Sequence, residues 1–280
     1  MFGLTIIAAV LAVMGYGSLW VAAGWRGSGD LWPMVAGARV GYRQVSAAGL
    51  STVSVSSTGQ AVQVNTEPGR SITVRWSSYG APKAALSMVR EGSRELISFH
   101  PPAGVFWSWS LFRQPVAVLD VSLPPQMSLY STARTGSLRV TGSYRQLSAA
   151  VSSGTINLVQ VTTGGLQAEV GFGAIGVKDG VVTGPLLLAV RTGAVGFTGD
   201  PGTDAQISDA MGGIDLNLDP TARLAATVNV GLGSLTTTGF PGLKGAQHSG
   251  VFRGTIGQGT SGSLTVTDKL GAITISAYRP

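Results

Sequence analysis

The second half of the chain alternates apolar and polar positions with a period of two, and a glycine interrupts the alternation at nearly constant intervals. The recurring phrases are TGSLRV at 135–140, SGTINL at 153–158, FGAIGV at 172–177, TGAVGF at 192–197, GGIDLNL at 212–218 and LGSLTT at 232–237. Their glycines, read as Gly136, Gly154, Gly173, Gly193, Gly213 and Gly233, stand 18, 19, 20, 20 and 20 residues apart. Between the phrases lie further alternating runs, such as LSAAV from 147, LQAEV from 166 and LLLAV from 186. Alternation by two sends successive side chains to opposite faces of a strand. Each repeat therefore predicts two strands of about five residues joined at a glycine corner.

One such repeat is not expected to fold alone, because ordering its backbone costs more conformational entropy than a few buried aliphatic side chains return. Stacked repeats satisfy one another's N–H and C=O groups and remove continuous aliphatic ladders from water. The predicted fold is all-β: a single-stranded β-solenoid with coils of about 20 residues, regular over 135–280 and preceded by an N-terminal transmembrane helix. The expected inward ladders are Leu138, Val140, Ile156, Leu158, Ile175, Val177, Val195, Phe197, Ile214, Leu216 and Leu218. After Phe240 the rhythm loosens, and SLTVTD and GAITISAY near the C-terminus are expected to close the stack as a hairpin-like pair. Residues 46–134 lack the glycine phrase but hold alternating runs such as STVSVSS and SITVRWS between turn signals. They read as opening β coils or a small β sandwich.

The periodicity also answers a competing reading of GFGAIG at 171–176, whose glycine spacing matches a dinucleotide-binding loop. Such a loop must open a helix, whose N-terminus holds the pyrophosphate. The following VKDGVVTGPLLLAV cannot begin one, with two glycines, a proline and a β-branched run. GFGAIG is better explained as one corner phrase among six, and no cofactor is expected.

Residues 1–25 contain no charged side chain and are long enough to cross a bilayer core. Tyr16, Trp20, Trp25 and Trp32 gather toward the far end, where amphipathic rings favour the headgroup region. VAA at 21–23 offers a peptidase site for a cleaved signal peptide, but no Lys or Arg precedes the apolar run as a secretory signal normally requires, so an uncleaved anchor is the favoured reading, followed by a juxtamembrane linker over 26–45. Arg26, Arg39 and Arg43 follow the segment and by themselves favour a cytoplasmic C-terminal domain, although long domains translocate largely regardless of charge.

Composition agrees with an all-β chain: 44% of residues are hydrophobic, only 11% are charged, and there are 41 glycines. Cysteine is absent, which excludes disulfides, thiolate metal sites and cysteine nucleophiles. The net charge of +6 is uneven, with 12 Arg and Lys against 5 Asp and Glu over 26–145 and 7 against 8 over 146–280. The basic half suits an anionic envelope polymer or lipid headgroups, or is simply a solvated face. No lysine-rich run or reader motif points to nucleic acid.

The order AVQVNTEPGRSITVRW, RELISF, VAVLDVSLPPQMSLYSTARTGSLRV and then SSGTINL-type repeats resembles the "putative adhesin" domain family of bacterial envelope proteins, over roughly 45–278. The resemblance implies a β-solenoid held outside the cytoplasmic membrane beside a single anchor helix, and it carries no active-site residue. On that basis the chain is expected in the cell membrane as a single-pass protein with an extracytoplasmic C-terminal domain. The expected role is non-enzymatic, as a structural, adhesin-like or envelope-stress component. The alternatives are a carbohydrate-active solenoid enzyme and a wall-polymer-binding module.

For the enzyme alternative the candidates are Asp200, Asp204, Asp209, Asp215 and Asp219, since paired carboxylates cleave glycosides or hold calcium. GDPGTD and LDPTAR are also turn sequences in which Asp accepts backbone hydrogen bonds, and alternation points Asp215 outward. His100 and His248 are isolated and no GxSxG elbow occurs, so neither a metal site nor a catalytic residue is assigned. The run VFWSWSLF places Phe106, Trp107, Trp109 and Phe112 between Pro102 and Pro115. It is read either as a plug over the open first coil or as a surface contact for sugar or lipid.

Overall fold

In a computed structural model of the chain, the described residues are 39–58, 61–78, 85–100, 117–219, 221–240, 246–248, 250–257 and 261–278. They belong to one compact unit, Arg39–Pro280, and every regular element among them is a β-strand. The expected anchor at 1–25 lies outside the described residues. No helix among the described residues is long and apolar enough to cross a membrane.

Seven strands come first: β1 (Arg39–Ser46), β2 (Thr52–Ser57), β3 (Ala61–Thr66), β4 (Ser71–Ser78), β5 (Ala85–Glu91), β6 (Arg94–His100) and β7 (Ala117–Leu123). The stretch read as a linker thus ends in a strand. Four long strands follow, β8 (Ser128–Tyr144), β9 (Leu147–Thr163), β10 (Leu166–Val182) and β11 (Pro185–Asp200). Each runs through its phrase glycine without a break, where the periodicity predicts two short strands. The corner omits a single pairing: Val170 partners Val190, Phe172 partners Thr192, and only the residue between is skipped. A turn this economical keeps the hydrogen-bond ladder almost whole on both sides of the bend.

β8, β9, β10 and β11 pair in parallel, each with the strand one repeat away. Leu129, Leu147, Leu166 and Leu186 form one row before the corner, and Leu138, Ile156, Ile175 and Val195 form one after it. β12 (Asp204–Asp209) and β13 (Gly212–Leu218) make the next rung, on the two arms of β11. All eleven predicted inward residues are buried, and both arms contribute to one apolar cluster.

Gly136, Gly154, Gly173 and Gly193 are direct partners along the corner, and the fifth member is Gly212 instead of the expected Gly213. A Cβ on Gly193 would lie 1.6 Å from the Gly173 carbonyl oxygen, and φ there is +147°. Gly213 has no such constraint, since its Cβ would meet nothing nearer than 3.6 Å. GGI offers two adjacent glycines, and only the ladder register shows which one turns the corner.

The C-terminal segments are β14 (Leu224–Thr238), β15 (Ala246–His248), β16 (Val251–Ile256) and β17 (Gly262–Ala277). The expected terminal hairpin is not formed. SLTVTD and GAITISAY are the two arms of one strand, β17, which lies between β12–β13 on one side and β14 on the other. The burial pattern accounts for this order: Leu264, Val266, Ile273 and Ile275 of β17 are fully buried, whereas β14 is exposed over most of 231–238. An interior rung needs apolar residues on both arms, and a threonine-rich strand is the better edge. β16 covers the first arm of β14 in antiparallel register, from Leu224 to Asn229.

At the opposite end, β2 and β3 pair with the two arms of β8, followed by β6 on β2 and β7 on β3. The parallel ladder then stops. β5 joins β6, β4 joins β7 and β1 joins β4, all antiparallel.

Candidate functional site

Where the parallel rungs end, the interior that is filled elsewhere by aliphatic ladders opens into a cleft of about 540 Å³. It is lined by Arg43, Gln44, Val45, Ser46, Met88, Arg90 and Glu95. Glu95 occupies an inward column position that is Val53 in the next rung and Leu129 in the one after. It is 3% exposed. Burial pushes its carboxyl above the usual range, and the Arg90 charge opposes that rise. Arg90 is the direct partner of Glu95, and its guanidinium donates to the Ala48 carbonyl at 2.6 Å, which anchors one cation at the rim. Glu95→Gln removes a charge that is expensive to bury, so it is expected to raise the melting temperature at pH 7 and change it little at pH 4. Thermal melts at the two pH values check this.

Beside the cleft, the outward face of the second arm carries a row in register across six strands: Tyr42, Arg75, Asp120, Gln63, Arg139 and Asn157. Adjacent members are about 4.8 Å apart by strand spacing, close enough for long side chains to interact. The Arg75 guanidinium lies 6.0 Å from the Tyr42 ring centroid. Asp120 is half-buried, and its Oδ1 has no hydrogen-bond partner. Burial raises its carboxyl and Arg75 counteracts, while Glu67 adds a smaller rise. Alongside, Ser122 Oγ donates to Asn65 Oδ1 at 3.1 Å and Asn65 Nδ2 donates to Glu67 Oε1 at 2.9 Å. On the first arm, Arg94 lies 5.8 Å from the Tyr130 ring centroid and donates to Ser54 Oγ at 3.0 Å. The early rungs thus present guanidinium groups, tyrosine rings and amides on flat strand faces, an arrangement suited to an anionic chain-like ligand.

No family model and no curated protein matches the chain. Solved structures do. A "putative cell adhesion protein" from Clostridium sporogenes aligns at 10% identity with a TM-score of 0.45, over 86% of this chain and 100% of that one. A "putative adhesin" from Parabacteroides distasonis aligns at 10% identity and 0.41, over 85% and 97%. Another from Bacteroides fragilis aligns at 9% identity and 0.41, over 84% and 96%.

The aromatic candidates Phe106, Trp107, Trp109 and Phe112 belong to the connection between β6 and β7 and lie outside the described residues. The five aspartates separate by role. Asp200 Oδ1 accepts the Gly202 N–H and Asp219 Oδ1 accepts the Thr221 N–H, as turn residues do. Asp204 accepts from Ser263 Oγ, and Asp215 is exposed on β13. Asp209 is different: it is buried beside Asp268, its direct partner on β17, which the sequence reading did not single out. Being 59 residues away on a strand expected at the end of the stack, Asp268 had no local signal linking it to Asp209. Glu95 and the Tyr42–Arg75 row were missed for the same reason, since only register joins them. GFGAIG lies within β10, which continues as strand to Val182, so no helix N-terminus is present to hold a pyrophosphate. His100 is exposed at the end of β6.

Proposed function

We propose that this chain is a membrane-anchored, non-enzymatic β-solenoid of the bacterial cell envelope, with an adhesive or structural role. In this reading its arginine-bearing end engages an anionic envelope polymer or lipid headgroups. The observation that carries the reading is the convergence of Arg43 and Arg90 at the cleft with Arg75, Arg139 and Tyr42 on the adjoining face. The excess of basic residues in the first half of the chain supports it. So does the sequence resemblance to envelope adhesin domains, from which the extracytoplasmic placement comes, while the anchor rests on the charge-free apolar run at 1–25. The carbohydrate-active alternative loses its best acid pair, because Asp209 and Asp268 are 2% and 1% exposed and no sugar ring reaches them.

Co-sedimentation with vesicles of phosphatidylglycerol, of phosphatidylcholine, and with soluble polyphosphate tests the binding. Binding to the anionic vesicles or to polyphosphate, weakening as salt rises, is expected. Each basic side chain near such a surface is worth about 1 kcal/mol, so Arg43→Ala/Arg75→Ala/Arg139→Ala should weaken it about a hundredfold. Equal binding to phosphatidylcholine would remove the electrostatic reading. A C-terminal tag that is labelled on intact cells supports the extracytoplasmic placement, and labelling confined to lysed cells counts against it.

A further inference from the structure

The inward column just before the corner is apolar in most rungs. It reads Ala133, Val151, Val170 and Val190 through β8 to β11, then Asp209 on β12 and Asp268 on β17, and Val230 on β14. Two carboxyl groups therefore stand on adjacent rungs of a hydrophobic ladder, 2% and 1% exposed. Each accepts a backbone N–H two residues on. Asp209 Oδ1 accepts the Met211 N–H at 3.1 Å, and Asp268 Oδ1 accepts the Leu270 N–H at 3.0 Å. The second oxygen of each, Oδ2, is buried with no hydrogen-bond partner. Both Oδ2 atoms tuck under a corner glycine, 2.6 Å from where a Cβ of Gly212 or Gly271 would be.

Two unpartnered anionic oxygens on neighbouring rungs are an unstable arrangement, because burial and mutual repulsion both oppose the doubly charged state. Among the described residues, nothing cationic relieves it. The flanking column residues are Val190 and Val230, the nearest basic residues in sequence, Arg191 and Lys269, are exposed, and Asp204 and Asp215 on the same rung are exposed as well. We propose that Asp209 and Asp268 form a proton-binding site in which one carboxyl of the pair is held neutral while the other is charged, and that releasing its proton loosens the seating of β17 in the stack. Charge balances simply: the occupied pair carries one proton and one negative charge, and release to solvent leaves two negative charges.

The electrostatics agree. Burial pushes the Asp209 carboxyl up to about 6, with the Asp268 charge adding to the rise and the N–H groups of Met211, Gly213 and Ala210 opposing it; burial raises Asp268 as well, against the Leu270 N–H. A carboxyl raised in the folded state contributes stability that is complete below its ordinary value and is lost as pH rises through the folded value. For Asp209 that window runs from 3.8 to about 6, roughly a hundredfold change in the unfolding equilibrium.

The test uses the full chain, its Asp209→Asn and Asp268→Asn variants, and Asp209→Val/Asp268→Val, which restores the valine of the other rungs. Denaturant unfolding is measured from pH 4 to pH 8, and infrared spectra at pH 5 are inspected for the carbonyl stretch of a protonated carboxylic acid. Glu95, Asp120 and Asp215 are also raised by burial, so the difference from each variant isolates the pair. Each single Asn variant supplies an amide donor to the remaining carboxylate. It should lose the pair's hundredfold share of the pH dependence and its share of the infrared band, and should equal or exceed the parent in stability at pH 8. The double Val variant should fold with the same reduced pH dependence, so failure of the Asn variants to fold would leave it to decide. An unchanged pH slope in all variants, or a band of undiminished intensity in Asp268→Asn, would overturn the proton site. Stabilisation of the parent but not of Asp209→Asn by calcium or magnesium chloride at pH 8 would overturn it too, by making the pair a metal site.

Discussion

Replacing Gly193 by alanine is expected to abolish the stable fold, whereas Gly213→Ala, twenty residues on, is expected to change stability by no more than about 1 kcal/mol. At Gly193 the added Cβ would overlap the carbonyl oxygen of Gly173 at 1.6 Å. That oxygen is backbone, fixed by the rung below, so it cannot swing aside as a side chain would. The residue must also hold φ at +147°, a conformation that L side chains rarely adopt and that by itself costs on the order of 1–3 kcal/mol. The combined penalty, above about 4 kcal/mol, is a large share of an ordinary domain's stability. At Gly213 the Cβ would find its nearest neighbour, the Ala272 carbonyl oxygen, at an ordinary 3.6 Å. Urea unfolding of the two variants side by side distinguishes them. A native-like midpoint for Gly193→Ala would mean that the rungs do not approach as closely as the corner column requires.

Deleting the chain from residue 260 onward is expected to be as damaging, because β17 is an interior rung. Its removal takes away Leu264, Val266, Ile273 and Ile275, all fully buried, and parts β14 from β12 and β13. Four such side chains contribute about 6–12 kcal/mol, comparable to the whole stability of a typical domain. Both newly opened edges would also expose unpaired backbone groups, so the truncated protein should be recovered as aggregate instead of a shortened stack. If the last segments merely capped the end, as the sequence order implies, residues 39–240 would survive truncation with most of their strand content. Circular dichroism and size-exclusion chromatography of the truncated chain separate the two outcomes.

Much of the architecture is legible in the sequence, because period-two alternation and a repeating glycine are local properties. Leu138, Ile156, Ile175, Val195 and Ile214 were placed inward by alternation alone, and all are buried. Asp200 and Asp219 were read as turn acceptors from their Gly and Pro neighbours, and each accepts a backbone N–H two residues on. The candidate site was far less legible. Glu95, Arg75 and Asp268 matter through what lies beside them on adjacent rungs, and the hydrogen-bonded neighbour of a residue in a stacked fold is a whole repeat or more away.

The sequence by itself determined that the chain is all-β, that glycines turn corners at intervals of about 20 residues, and which aliphatic side chains enter the apolar column, since each follows from a residue and its near neighbours. Only the tertiary structure decided the order in which the rungs stack: that Gly262–Ala277 is inserted ahead of Leu224–Thr238, that Gly212 takes the corner, and that two aspartates meet inside. Alternation fixes which way a side chain faces but says nothing about which strand lies next to it. That choice is made by comparing whole rungs, and the rung with apolar residues on both arms takes the interior place.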